Sequence, residues 1–284
     1  LRPDFIMFAD TGSEKSSTYA YIPVIRCWLG DIGFPDITVA RYRPRHAPYK
    51  TLEGNMLKNA TLPGATFGMS SCTLKFKIEP QNRACRDLAC CQAAWAAGGK
   101  VTKMIGFESG EEYRKLRASD KAHTAVDPRY EYEYPLIEWG WTRERCKAEI
   151  ESAGLPVPPK SACVFCPNVQ PDELLDMTED ERGRIARIEL QAEPYNKKVH
   201  GLWRRGRKSD NRPGSITRYM IQRGIPFTHP KTLGLVPLNP KSGKAVRGHT
   251  FQGPHDAPSI AADLNTLPCT PIENAQHRAL IEAL

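Results

Sequence analysis

No stretch of this 284-residue chain approaches the ~20 consecutive apolar residues that a bilayer-spanning helix requires, so no membrane partner is expected. A secretory leader is missing as well. The opening LRPDFIMFAD reads instead as a strand already under way, so further sequence is expected ahead of Leu1. No internal repeat is visible, which argues against a solenoid or propeller. Acidic residues are in short supply: 32 Asp and Glu face 40 Lys and Arg, for a formal net charge of +8. That imbalance suits an anionic partner, nucleotide phosphate or nucleic acid. With 40% hydrophobic residues and a mean hydropathy of −0.50, the composition is that of a soluble chain able to bury a real core.

The charge is uneven. Between Lys197 and Arg247 there are 13 Lys or Arg against one acid, Asp210. A nucleic-acid contact and a plain solvated tail both account for that pattern. Cysteine is abundant, with nine residues, an odd number. Without a leader they favour reduced thiols and metal binding over a disulfide framework, and hence a cytoplasmic setting.

The first hundred residues alternate strand and helix. DFIMF is a short apolar run suited to a strand buried on both faces of a parallel sheet. A helix follows from Ser16 to about Leu29, limited or kinked by Pro23, and DITVARY is the next strand. This strand–helix–strand order predicts a right-handed parallel crossover. Asn82 to Ala97 reads as a helix stopped by Gly98 and Gly99, and KVTKMIGF as a third strand. Thr142 is placed to cap a helix ending at Gly154. Thr178 and Glu181 form a capping box for a helix that Pro194 ends. Beyond about Lys197, Pro and Gly dominate. The expected class is α/β, with a boundary near residue 168 between an α/β domain (1–168) and a helical, then irregular and basic, region (169–284).

Three segments carry candidate chemistry. FADTGSE lies at the carboxyl end of a strand, where open α/β sheets bind ligands. There Asp10 and Glu14 offer carboxylates, Thr11 a hydroxyl, and Gly12 room for close approach; a turn with a helix cap accounts for the same residues. In SSCTLKFKIEP, Lys75 and Lys77 alternate, so on an extended segment both ammoniums would point to one side as a phosphate clamp, or to solvent as surface lysines. In IGFESGEEYRK, Gly106 ends a strand and Arg114 can grip a phosphate, while Glu108, Glu111 and Glu112 suit a helix start equally well.

The pair Cys163 and Cys166 in KSACVFCP can close on one soft metal ion, with Cys72 as the expected distant partner. Zinc, an iron–sulfur cluster and a redox dithiol are all open readings of this spacing. Cys85, Cys90 and Cys91 sit on an Ala-rich helix as expected core thiols, with a spare ligand as the alternative. Cys146 reads as core and Cys27 as packing near Trp28. His123 and His200 are surface residues or additional ligands.

The order ADTG after a strand, SCTLKFKIEP, Gly106 to Arg114, PLIEW before a helix, GLPVPP and finally CVFCP resembles the phosphoadenosine phosphosulfate (PAPS) reductase family. That family belongs to the adenine-nucleotide α-hydrolase-like (PP-loop) superfamily, and the likeness is to its phage and bacterial branch and to the sulfur-transfer proteins of DNA phosphorothioation. The resemblance covers roughly residues 4–167. It implies a Rossmann-like (HUP-type) parallel sheet flanked by helices, binding an adenine nucleotide (ATP or PAPS) through Asp10, Thr11, Gly12, Glu14, Lys75, Lys77, Gly106 and Arg114. It also implies a [4Fe–4S] cluster, with zinc as the alternative, on Cys72, Cys163 and Cys166. The chain departs from the family pattern in three places. The Ser-Gly-Gly-x-x-Ser loop expected before Leu1 is absent, and Ser71 stands where cluster-bearing reductases carry a second cysteine. The attacking Cys-Gly-x-His segment is also missing, leaving Cys269 as the late thiol and Cys72 as the other catalytic candidate. The arginine motif is looser too, which makes Arg114 a softer assignment. The expected function is adenylation-dependent sulfur transfer, with nucleic acid as a candidate acceptor. The alternatives are a thioredoxin-dependent PAPS or APS reductase and a non-catalytic nucleic-acid-binding module with structural zinc.

Overall fold

A computed structural model describes residues 2–66, 69–119, 127–196 and 199–234. Cys269, His123 and the basic residues Lys197, Lys198, Lys241, Lys244 and Arg247 lie outside the described residues. The architecture is mixed α/β. The apolar run after Asp4 forms β1 (Ile6–Asp10), and Ser16–Asp31 forms the long helix α1, which contains Pro23. β2 (Ile37–Arg41) then pairs with β1 in parallel, in the register Ile6↔Ile37 to Asp10↔Arg41. The strand–helix–strand unit therefore forms as the apolar pattern requires, and it ends with an acid opposite a base.

A short helix, α2 (Leu52–Asn59), follows, capped by the Thr51 hydroxyl, which accepts from the Gly54 amide. It is ended by Ala60 in a left-handed conformation (φ 46°). A two-residue antiparallel ladder, β3 (Ala65–Thr66) with β4 (Met69–Ser70), leads into a helical run. That run comprises α3 (Ser71–Thr73), a π-helical turn over Leu74–Ile78, and α4 (Glu79–Asp87).

The lysine segment is therefore not extended. Alternation in LKFK suggests period two, but Phe76 is buried to 1% exposure as part of a helix rather than a strand. Pro80 explains the wide turn. A proline removes the amide that would bond back four residues, and its ring crowds the carbonyl there. The chain instead bonds Glu79 N–H to Leu74 C=O, five residues back, which opens the turn.

The helix expected over 82–97 is two: α4 ends at Asp87, Leu88 turns extended (ψ 126°), and α5 spans Ala89–Ala96. Gly98 (φ 76°) then closes the turn into β5 (Val101–Met104). α6 (Glu112–Ser119) precedes β6 (Tyr130–Glu133), which pairs in parallel with β5. α7 (Pro135–Glu138) and α8 (Arg143–Ser152) come next, and Thr142 caps α8 by accepting from the Arg145 amide at 3.3 Å. α9 (Glu179–Ala192) starts at the expected capping box of Thr178 and Glu181, and α10 (Ile216–Arg223) is capped by Ser215.

Among the described residues, β1–β2 and β5–β6 are separate two-stranded sheets, so a single Rossmann-like sheet is not what the hydrogen bonds describe. The link between them is apolar. Phe5 and Met7 pack against Cys85, Cys91, Val101 and Tyr130. A larger core gathers Leu52, Met56, Phe76, Val164, Phe165, Leu174, Ile185, Ile188, Leu202, Ile216 and Met220, joining residues on both sides of position 168. No described helix is long and apolar enough to cross a membrane.

Candidate functional site

The segment after β1 and the segment around the CxxC pair, about 150 positions apart in sequence, are stitched together by main-chain groups. Val164 N–H donates to Ser13 C=O at 2.9 Å and Lys15 N–H to Ala162 C=O at 3.3 Å. Glu14 and Cys163 face each other as an antiparallel bridge. Cys163 therefore sits beside Glu14 at the carboxyl end of the parallel pair.

The turn itself is tight: Cys166 N–H donates to Cys163 C=O, and Val169 N–H to Cys166 C=O, each at 3.1 Å. Cys163 is buried, while Cys72 and Cys166 are partly buried and pack against the same core. Burial pushes the Cys163 thiol well above the ordinary value. Glu14, Cys166 and Cys72 add to the rise, and Lys77 opposes it. Cys166 is raised for the same reasons: burial first, then the Cys72 charge, against the Asn168 amide, Lys77 and Lys160. The three thiols thus share one electrostatic neighbourhood. Their donor chemistry suits a soft metal, whose positive charge would offset the burial that otherwise keeps Cys163 and Cys166 protonated. Among the described residues, however, no three His, Cys, Asp or Glu side chains are already closed on one point.

Asp10, Thr11, Ser13, Glu14 and Lys15 are all buried to 4% exposure or less. Asp10 accepts from Gly12 N–H and the Tyr19 hydroxyl, both at 2.7 Å, and from Arg41 Nε at 3.0 Å. Thr11 donates its hydroxyl to Glu14 at 2.7 Å, and its carbonyl receives Leu52 N–H at 3.0 Å. Ser13 Oγ accepts from Glu53 N–H at 3.1 Å. Gly12 has φ +65°, and a Cβ there would lie 2.5 Å from Thr51 Cγ2. The close approach this glycine permits is thus made by the start of α2. The loop works as a scaffold that fixes Glu14, whose carboxyl is raised by burial and by Asp10 and lowered by Lys77 and the Thr11 hydroxyl.

The two lysines part company. On the helical run the Lys77 charge is near enough to lower the Glu14 carboxyl and both CxxC thiols. Lys75 turns the other way into an aromatic cage. Its Nζ donates to the Tyr49 hydroxyl at 2.7 Å and lies 5.0 Å from the Tyr42 ring centre and 4.6 Å from that of Tyr49. The one-sided phosphate clamp expected of the pair does not form. Gly106 follows β5 and Arg114 lies on α6, where it is held by Glu111 at 2.5 Å and stacks over Phe107 at 4.1 Å. Seven described cysteines are free thiols. Cys85 and Cys91 are buried as expected of core thiols, but Cys90 is exposed.

Sequence reasoning missed Arg41, Tyr19 and Glu181. Arg41 could have been found by aligning the two strand ends, since the register that pairs Ile6 with Ile37 sets Asp10 opposite Arg41. Glu181 has a second task beyond its capping box. While one oxygen accepts from Thr178 N–H at 2.9 Å, the other accepts from Ser16 N–H at 2.6 Å and Ser16 Oγ at 2.9 Å. One carboxylate thus caps the starts of both α1 and α9, the position an anion would otherwise take at α1. Comparison with protein-family models, with curated proteins and with solved structures finds no match for this chain.

Proposed function

We propose that this chain is an adenine-nucleotide-dependent enzyme of sulfur metabolism, akin to PAPS reductases, built on a Rossmann-like (HUP-type) sheet of which β1–α1–β2 is one unit. The observation that carries the reading is the main-chain stitch between residues 13–15 and 162–164, which sets Cys163 beside Glu14 at the end of the parallel pair. A nucleotide at that edge would meet Arg41, held by the Asp10 carboxylate at 3.0 Å, and the nearby charge of Lys77. In the adenylation step an acceptor oxygen attacks the α-phosphorus of ATP. The new P–O bond forms as the bond to pyrophosphate breaks, and the pyrophosphate leaves with its electron pair. The scaffold loop keeps the cations and Glu14 fixed while charge builds on the phosphate.

Cys72, Cys163 and Cys166 would hold a [4Fe–4S] cluster, or zinc in its place. The cluster would supply an open iron for sulfide because Ser71 replaces a fourth thiol. The test is anaerobic purification of the chain and of Cys163→Ala, with iron, acid-labile sulfide and zinc analysis alongside ATP and PAPS binding by calorimetry. The reading expects iron and sulfide in the parent, their loss in the variant, and binding of one nucleotide. Zinc without iron would favour the structural-zinc alternative. Undiminished activity in a metal-free Cys163→Ala would sink the mechanism.

A further inference from the structure

We infer that the loop 204–212, next to the CxxC turn, is a docking surface for the phosphate backbone of a nucleic acid. The inference deepens the proposed function, on which it rests only for calling that nucleic acid the acceptor. The binding surface itself stands on separate residues.

The loop carries Arg204, Arg205, Arg207, Lys208 and Arg212 against the single acid Asp210. Arg205, Arg207 and Lys208 are exposed. Arg207 pairs with Asp210 at 2.5 Å, an exposed contact that a phosphate can exchange at little cost. Arg212 lies 4.4 Å over the Trp203 ring, and its buried Nε has no hydrogen-bond partner among the described residues.

A solvated basic tail needs no fixed shape, yet this loop is rigidly built. Arg207 and Arg212 exchange main-chain hydrogen bonds of 2.7 and 2.9 Å. Arg204 holds φ 65°, a left-handed conformation that costs a non-glycine residue about 1 kcal/mol or more. A glycine would adopt that conformation without strain. Gly214 lets the backbone close, since a Cβ there would sit 2.8 Å from Arg204 C=O.

The base of the loop is pinned by the buried Glu189 carboxylate. It accepts from the amides of Leu202, Ile216 and Thr217 at 2.7, 3.0 and 2.9 Å, and from the hydroxyls of Ser215 and Thr217 at 2.6 and 2.5 Å. Cations held in advance lose less entropy on meeting a regularly spaced polyanion.

Position supplies the second argument. Trp203 Nε1 donates to Val169 C=O at 2.8 Å, and Val169 N–H donates to Cys166 C=O at 3.1 Å. The cationic loop is thus joined to the CxxC turn through two hydrogen bonds.

The test uses the full chain and the triple variant Arg205→Gln, Arg207→Gln, Lys208→Gln. Binding of a labelled DNA oligonucleotide is followed by fluorescence anisotropy across a salt series. Each lost phosphate contact should lower the slope of log K against log salt by about 0.9, so the triple variant should lose roughly 2 to 3 and bind at least about tenfold more weakly at low salt. ATP binding should not change, which separates failure of this surface from failure of the nucleotide site. The exposed pair Arg143→Gln, Lys147→Gln on α8 should leave the slope as it was. If the triple variant melts early, Lys208→Gln alone should still lower the slope by about 1. An unchanged slope in the loop variants would overturn the inference. An equal fall in the α8 pair, or equal displacement of the oligonucleotide by polyglutamate, would do the same.

Discussion

Replacing Glu181 with alanine removes the acceptor for the starts of two helices at once. In the parent its two oxygens receive three donors, Ser16 N–H, Ser16 Oγ and Thr178 N–H, at 2.6 to 2.9 Å, and the residue is 4% exposed. Loss of a single cap costs about 1 kcal/mol. The second cap adds about as much again, and because Ser16 and Thr178 are exposed, water can reach the amides that are freed. The loss should therefore be about 2 kcal/mol, still a sizeable share of the stability of an ordinary domain. Glu181→Gln should lose roughly half as much, because the amide oxygen can still serve Ser16 while its NH2 turns a donor toward Thr178 N–H. Urea unfolding followed by circular dichroism measures both. A second readout tests the placement of the cap. α1 begins one residue after Lys15, whose amide is part of the stitch to the CxxC segment, so local opening should speed native-state alkylation of Cys163 in the alanine variant. Two variants within about 0.5 kcal/mol of the parent, with unchanged Cys163 alkylation, would refute the shared-cap argument.

Two further outcomes follow from the packing. Gly201→Ala would place a Cβ 2.4 Å from Ser215 Cα and 2.5 Å from Glu189 Oε1, so it should destabilise the fold by about 2 kcal/mol or more in thermal melts; a neutral variant would contradict the geometry around Glu189. The Cys91 thiol is pushed up to about 12 by burial and by Cys85 and Cys90. The folded state therefore keeps a proton that the unfolded chain releases from about pH 9, and stability falls as pH rises through that window. Cys91→Ala removes this term, so its stability relative to the parent should improve between pH 9 and 12 by at most about 1.4 kcal/mol per pH unit. Parallel stability curves for the two proteins would argue against a raised Cys91.

The elements that sequence reading places well are those whose signal is local. β1 and β2 are largely apolar segments between turn residues, and Thr142 and Thr178 mark helix starts by their own side chains. The lysine segment misleads because Lys75 and Lys77 imitate a strand, whereas the continuing helix around Phe76 and the adjustment before Pro80 decide the conformation. The candidate site was legible as a set of residue types and illegible as an arrangement. That Glu14 faces Cys163 depends on amides and carbonyls about 150 positions apart, and main-chain groups leave no mark in the residue alphabet. Glu181 shows the same limit from the other side. Its capping box is a local pattern, but its grip on Ser16 is a tertiary fact.

The stitch between residues 13–15 and 162–164 has a bearing on how this protein can vary. Ser13, Lys15, Ala162 and Val164 contribute only backbone atoms to it, while the buried side chains of Ser13, Lys15 and Val164 are engaged by Glu53, Glu173 and the core. Glu14 and Cys163 are carried on that join like tools on a fixed rack. Substituting either one changes the reagent presented at the end of the parallel strands while its position is kept. Both side chains are buried, so a library that varies positions 14 and 163 should keep the fold mainly where the replacements match them in size, and among those proteins selection acts on reactivity.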